Sequence, residues 1–496
     1  MNIERTGNSL RTTAAVAVLL MAVSPCAQPA ATPAAAPAPT MAAPGGTNAL
    51  PPWLTRPLSM VEAVDIALQQ NGSILKARKD LEATHGMVMQ MRAIAMPKAI
   101  FSGDYGRTDA LDTLPGSTTT FGSKNSWFIG VRVVQSVYEG GRIRSSLRTA
   151  NLTREQAVYA YQQVVADVVT DVRVTYYNTL LAAELIGVRE ASVRLLTQEL
   201  DDTTRRFEAG TVPRFNVLRA EVELANARPE LIRARNAYRI TKNNLATLLS
   251  YDIPKDVWED LPLKLTDKLV AAPYEVSLPL ALAKAIELRP ELAVLRKNER
   301  IRAESVISAR AGYLPSLQFF AGYGASKSRF TESFFDEVHG YEVGAALRWN
   351  IWDGNLTRGR VIEARALYEK SQTELDDAGR RIEQEVRTSY SSFVEAREVL
   401  ESQKKVVEQA EEALRLANSR FDAGTSTQLD VLSAQTALTE ARSTTVLALR
   451  DNEVARVRLE RAIGLTLPQS GATNLPPVAA PSDVMRKEGV TPAPAR

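Results

Sequence analysis

Apolar residues alternate with polar or small ones from Tyr341 onward: Tyr341, Val343, Ala345, Leu347, Trp349 and Ile351 are separated by Glu342, Gly344, Ala346, Arg348 and Asn350. A period of two sends successive side chains to opposite sides, so this run predicts a strand with one oily face and one wet face. Trp127, Ile129, Val131 and Val133 repeat the pattern 214 residues earlier. After each run the period changes to seven. Val158, Val165, Val172, Thr179, Ile186, Val193, Leu200 and Phe207 share one register, and Val386, Phe393, Leu400, Val407, Leu414 and Phe421 share the matching one. A strict seven-residue repeat keeps one helix seam against a neighbour and predicts supercoiled helices. At about 1.5 Å per residue, a helix from Gly141 to Phe207 would be about 100 Å long, which means a rod or a tube.

The two halves of this pattern are copies. "RFEAGTVPRFNVLRA" (Arg206 to Ala220) and "RFDAGTSTQLDVLSA" (Arg420 to Ala434) agree at eight of fifteen positions, 214 residues apart. At that offset Tyr138-Glu139-Gly140 matches Trp352-Asp353-Gly354, and Arg228 matches Arg442. Further upstream the offset is 218, pairing Ala63 with Ala281, Ala67 with Ala285 and Pro97 with Pro315. The chain therefore divides into a first repeat, 57–250, a joining segment, 251–276, and a second repeat, 277–467. Each repeat opens with a helical stretch, Met60 to Met96 or Leu278 to Gly312, ended by a proline. Two strands, the long helix, a tight turn and a return helix follow. Gly210 and Gly424 suit the left-handed residue that closes a helix. Thr425 with Gln428 predicts a capping box for the next helix. In the first copy Thr211 is the expected cap, with Pro213 in the first turn. Pro229 predicts a kink in the first return helix.

Composition narrows the function classes. The 496 residues carry a net charge of only +3, with 24% charged and 6% aromatic residues, so the basic excess of a nucleic-acid binder is missing. Arg5 and Arg11 precede the apolar run Ala14 to Val23, which has the length of a secretory signal and is too short to cross a bilayer. Residues 1–26 are taken as the signal, and 27–56, dense in proline and alanine, as a leader that cannot bury a core. The tail, 468–496, has a similar composition and is expected to be disordered. Two readings of the single cysteine, Cys26, stay open: a lipidated N-terminus after cleavage, or a residue lost with the signal. The only histidines, His85 and His339, fall in a helical stretch and in a predicted loop between strands. No glycine-rich phosphate loop follows a strand. No catalytic, cofactor or metal site is expected.

Four strands with oily faces cannot close a membrane barrel alone, because open edges are not tolerated in lipid. If they enter a membrane, the chain must oligomerise. Here the residues meet a known pattern. "ELRPEL" from Glu287, "LPSL" from Leu314, "WNIWDGN" from Trp349 and the paired F-[ED]-A-G-T…V-L hairpins occur in order within the duplicated layout. The chain resembles the TolC family of outer-membrane efflux proteins from near Pro57 to near Leu467.

The resemblance implies an α+β fold, mainly α: a trimeric membrane β-barrel with four strands per chain, continued by a long coiled-coil α-helical barrel. It also implies a homotrimer in the outer membrane of a Gram-negative bacterium, in contact with outer-membrane lipid and extending into the periplasm. Its partners would be a periplasmic adaptor (a membrane fusion protein) and an inner-membrane transporter, with no nucleic acid, no cofactor and no enzyme activity. The hairpins become periplasmic tips, with Gly210, Thr211, Val217, Leu218, Gly424, Thr425, Val431 and Leu432 docking the adaptor. Asp430, Ser433 and Asn216 take the positions of the channel constriction. Ser426 and Phe421 stand where family members carry an arginine and a tyrosine of the closing latch, so that latch is not carried over. Simpler readings stand beside these: Asp430 as a solvated residue of a first helical turn, Phe207 and Phe421 as seam packing, and Trp127, Tyr138, Trp349 and Trp352 as boundary aromatics or core. The expected function is passive exit of small molecules such as drugs and toxic compounds. The alternatives are an exit duct for type I protein secretion, or a non-channel periplasmic coiled-coil adaptor or scaffold.

Overall fold

The computed structural model describes residues 56–107, 125–251, 261–327 and 337–466. Cys26, the signal, most of the leader and all of the tail lie outside them. The first repeat comprises α1 (Met60–Gln70), α2 (Gly72–Arg92), β1 (Lys98–Arg107), β2 (Asn125–Glu139), α3 (Arg142–Glu208) and α4 (Arg214–Leu248). The second comprises α5 (Leu278–Leu288), α6 (Pro290–Arg310), β3 (Ser316–Lys327), β4 (Glu337–Arg348), α7 (Leu356–Asp422) and α8 (Gln428–Ile463). Helices α3 and α7 each have 67 residues, about 100 Å at the usual rise. The middle of the heptad seam is buried, Val165, Val172, Thr179, Val386, Phe393 and Leu400 all being shielded. Toward the tips Leu200, Leu414 and Phe421 are half-buried and Phe207 is exposed, so Phe207 is not packed into the seam within the chain.

Several local expectations are corrected. The opening helix of each repeat is two helices, broken at Asn71 (φ −61°, ψ 127°) and Arg289 (φ −69°, ψ 122°). Pro290 pushes the residue before it into extended backbone. At Asn71 the side chain accepts a hydrogen bond from Ser73 N–H at 2.8 Å and donates to the Leu248 carbonyl at 2.8 Å, so it starts α2 and ties it to the end of α4. Strand β4 begins before Tyr341 and stops at Arg348. It therefore includes His339, while Trp349 and Ile351 lie beyond it. The Trp349 indole donates to the Tyr313 carbonyl, and Tyr138, Trp349 and Trp352 are exposed rather than core. Helix α4 runs through Pro229 without interruption.

The four strands form one antiparallel sheet in the order β1-β2-β3-β4. Register assigns its faces. Phe101, Tyr105, Ile129, Val131, Val133, Phe319, Tyr323, Tyr341, Val343 and Leu347 share one face, all exposed. The other face carries Ser102, Asp104, Gly130, Arg132, Gln318, Gly322, Gly324, Glu342 and Gly344. A continuous apolar face that none of the described residues covers is what a bilayer covers in outer-membrane barrels.

Below the sheet, α3 packs on α2 and α6, and α6 packs on α7; farther along, α3 packs on α4 and α8, and α8 on α7. Two apolar cores anchor these layers. One gathers α1, α3 and α4 around Val172, Tyr176 and Leu245. The other gathers α5, α7 and α8 around Val386, Phe393 and Leu459. Charged pairs link the halves, Arg461 reaching Asp167 at 2.6 Å and Arg173 reaching Glu460 at 2.6 Å; within the second half Arg461 also reaches Glu291, and Arg289 reaches Glu385 at 2.7 Å.

Candidate functional site

The two helical hairpins end in matching turns. Gly210 (φ +74°) and Gly424 (φ +71°) take the left-handed conformation. Gly210 N–H donates to the Phe207 carbonyl and Thr211 N–H to the Arg206 carbonyl, both at 2.9 Å; Gly424 and Thr425 do the same to Phe421 and Arg420. This is the full Schellman closure of a helix end. The threonine hydroxyls reinforce it, Thr211 donating to the Arg206 carbonyl at 2.8 Å and Thr425 to that of Arg420 at 3.1 Å.

Thr211 and Thr425 thus close the preceding helices and do not cap the following ones, which corrects the expected caps. Helix α8 starts two residues later, at N-cap Thr427. The Asp430 carboxylate accepts from Thr427 N–H at 2.9 Å and from its hydroxyl at 2.8 Å, which makes Asp430 the acidic half of the capping box. Those two donors hold the Asp430 carboxyl below the usual carboxylate range. In the first hairpin Pro213 itself stands at the N-cap, where a missing N–H costs nothing.

Asp430 and Ser433 are exposed at the tip, Ser433 donating to the Asp430 carbonyl at 2.9 Å. Asn216 and Val217 are half-buried, while Gly210, Thr211, Leu218, Gly424 and Thr425 are exposed. Val431 and Leu432 are buried within the chain, so of the four docking residues expected at the second tip only Gly424 and Thr425 are open to a partner.

Sequence reasoning missed the contacts between the two hairpins. The Arg206 guanidinium meets the Asp422 carboxylate at 2.9 Å and stacks over the Phe421 ring at 4.7 Å. Gln428, buried, donates to the Thr203 hydroxyl at 2.7 Å and to Glu199 at 3.1 Å. A signal was available: at the equivalent places, 214 residues away, Gln428, Thr203 and Glu199 become Arg214, Ala417 and Ala413. The copies diverge where one hairpin meets the other.

Higher up, Ser192 and Thr439 hydroxyls approach to 3.4 Å across α3 and α8. Among the described residues no cluster of three or more His, Cys, Asp or Glu side chains could hold a metal ion. No helix there is long and apolar enough to cross a membrane.

Comparison with known proteins agrees with this layout. The outer membrane protein TolC of Escherichia coli (strain K12) is 22% identical over 422 residues, covering 83% of each chain. The cobalt-zinc-cadmium resistance protein CzcC of Cupriavidus metallidurans is 25% identical over 409 residues, covering 82% of this chain and 90% of its own. Among solved structures, the Campylobacter jejuni CmeC outer membrane channel superposes with a TM-score of 0.70 at 16% identity, over 86% of this chain and 89% of that one. Residues 63–250 and 281–465, which are the two structural repeats, each match the outer membrane efflux protein family, and the chain belongs to that family.

Proposed function

We propose that three copies of this chain close into one continuous duct that passively conducts small molecules from a periplasmic adaptor and inner-membrane transporter to the outside. The observation that carries this reading is that every layer of the chain is left open on the same two sides. The sheet ends at β1 and β4. The helical layers end at α2 and α4 on one side and at α7 on the other. Internal repetition says what should fill those edges. Helix α8 packs along α3, yet its counterpart α4 does not pack along α7, the counterpart of α3, among the described residues. Helix α4 instead presents Phe215, Leu218, Val222, Ile232 and Ile240 to solvent. A neighbour's α7 and β4 fit this side as α3 and β2 fit α8 and β3 within the chain. Cyclic head-to-tail closure of these two complementary edges leaves none exposed, and three copies give the twelve strands that the family resemblance implies.

The duct performs no chemistry. Six hairpin tips would surround its entrance, with Gly210, Thr211, Leu218, Gly424 and Thr425 available to the adaptor. A ring of three Asp430 carboxylates, kept ionised by the Thr427 donors, would favour cations there.

Single-channel recording in planar bilayers tests this. Wild type is compared with Asp430→Asn, which removes the charge and leaves Thr427 an acceptor. Discrete pores whose preference for K+ over Cl− falls in the variant support both the duct and its entrance. Pores with an unchanged preference keep the duct and remove Asp430 from its constriction. A folded assembly that forms no pores sinks the duct.

A further inference from the structure

The wet face of the sheet carries a built arrangement that the tips do not explain. Arg132 on β2, Gly322 on β3 and Glu342 on β4 stand in one lateral row. The Arg132 Nε reaches the Glu342 carboxylate at 3.1 Å across that row. It can do so because nothing rises between them: a Cβ on Gly322 would stand 3.1 Å from Glu342 Oε1. The guanidinium also lies over the Phe320 ring at 4.3 Å. Phe320 in turn lies flat on β4, where a Cβ on Gly344 would come within 2.7 Å of its Cζ. Phe128 covers the next pair in the same manner, since a Cβ on Gly130 would fall 2.6 Å from its Cζ and one on Gly324 3.0 Å from its Cε2.

Glycines under flattened rings make this face thin, and the Arg132–Glu342 pair spans Gly322 at its middle with the Phe320 ring against the guanidinium. Both charged side chains remain about half exposed, at 47% and 54%, so they face water and are not a buried structural bridge. An exposed pair of this kind contributes little to stability. Its placement is better explained by what passes in front of it.

We infer that Arg132, Phe320 and Glu342 form a charge-compensated girdle on the lumenal wall of the barrel, and that their pairing sets the ion preference of its membrane-spanning part. This rests on the trimeric-duct reading. Three copies would place three arginines and three glutamates around the lumen at mid-strand height, summing to zero. The other charges of this face among the described residues stand off the girdle row: Lys98, Arg348 and Glu139 near the helices, Glu139 buried against Arg142, and Asp104 toward the far end.

Neutrality makes the prediction directional, because removing one partner unmasks three charges of the other. Arg132→Gln leaves three carboxylates and should move the reversal potential in a KCl gradient toward cations. Glu342→Gln leaves three guanidinium groups and should move it toward anions. Each shift should be about two- to eightfold in permeability ratio at 0.1 M salt or below, shrinking as salt screens the lumen. The double variant Arg132→Gln/Glu342→Gln and the swapped pair Arg132→Glu/Glu342→Arg should both return to the wild-type ratio.

A merely structural pair would move neither single variant, or move both the same way, and either result overturns the girdle. If one single variant fails to assemble, the other still decides: a shift of the stated sign that the double variant cancels upholds the compensation, and an unmoved ratio, a shift of the opposite sign or a displaced ratio from the double or swapped pair refutes it. Absence of pores in the wild type itself would instead strike the duct reading on which the girdle rests.

Discussion

Helix α8 meets α3 through Ser192 and Thr439, whose side-chain oxygens lie 3.4 Å apart. If the repeat governs assembly, α7 of one copy meets α4 of the next through the equivalent pair, Val406 and Ala225. Both are exposed in the single chain, Val406 by 39%. A disulfide needs Cβ atoms about 3.5–4.5 Å apart, and two β-oxygens at hydrogen-bond separation place their Cβ atoms in or near that range. Val406→Cys with Ala225→Cys, on a background in which Cys26 is replaced by serine, is therefore expected to cross-link between copies. Burying the exposed parts of Phe215, Leu218 and Val222 (66%, 49% and 56%) contributes about 1 kcal/mol each to the same interface, enough to hold the partners in register during oxidation. On non-reducing electrophoresis the double variant should run as dimer and trimer, collapsing to the single chain with reductant. Each single variant should give no closed trimer. Ser192→Cys with Thr439→Cys should close within the chain and leave its mass unchanged. An in-chain control that oxidises beside a Val406/Ala225 pair that does not would refute the reasoning. A ladder continuing past the trimer would mean that the edges join without closing.

Other consequences can be measured separately. Gly140 (φ +61°) sits where a Cβ would lie 2.7 Å from the Ala311 carbonyl oxygen, so Gly140→Ala should cost about 2–4 kcal/mol in chemical unfolding. Its counterpart Gly354 (φ +64°) has nothing within 4 Å, so Gly354→Ala should cost about 1–2 kcal/mol in the chain and act mainly by reducing cross-linked trimer. Burial pushes the Glu291 carboxyl up, but hydrogen bonds from Arg461 and Arg289 outweigh it and hold the group below its ordinary 4.5. A carboxyl depressed in the folded state stabilises above that value and loses the contribution as pH falls through and below it. Thermal midpoints should therefore drop from about pH 4.5 downward, and Glu291→Gln should flatten that limb. Arg206→Ala removes one ion pair and one ring contact, both partly exposed, and should cost no more than about 1 kcal/mol globally. Hydrogen exchange should quicken at the tips and stay unchanged at Val172.

The architecture was legible because its signals are periodic and doubled. The alternation beginning at Tyr341 and the seven-residue register through Val172 each constrain a whole element, and the 214-residue offset matches both ends of α3 and α7. Local punctuation was less legible, because one residue type serves opposite ends of a turn. A threonine after glycine looks like the cap of the next helix, yet Thr211 and Thr425 satisfy the carbonyls of the previous one; only the spacing to Thr427 and Asp430 separates the two uses. The break at Asn71 was hidden because asparagine both interrupts a helix and starts one. Contacts across hairpins, such as Arg206 with Asp422, were not legible from periodicity, which says which face is buried and not what lies against it.

Two nearly identical hairpins must build two different seams, one inside the chain and one between copies, and their divergence separates them. Inside, Gln428 is buried against Thr203 and Glu199, a polar contact in a desolvated place that resists sliding. Between copies, the same positions would set Arg214 against Ala417 and Ala413, with no acceptor offered to the guanidinium. If the entrance dilates, it should part along the second seam, which keeps only Arg420 and Glu208, the counterparts of the partly exposed Arg206–Asp422 pair, and lacks the buried polar contact of Gln428. Copying the inner set outward, with Arg214→Gln, Ala417→Thr and Ala413→Glu together, is then expected to pin the tips and lower conductance in the bilayer recordings while leaving the girdle's ion preference unchanged. Conductance equal to wild type, from trimers that cross-link normally, would show that the seam between copies is not the part that moves.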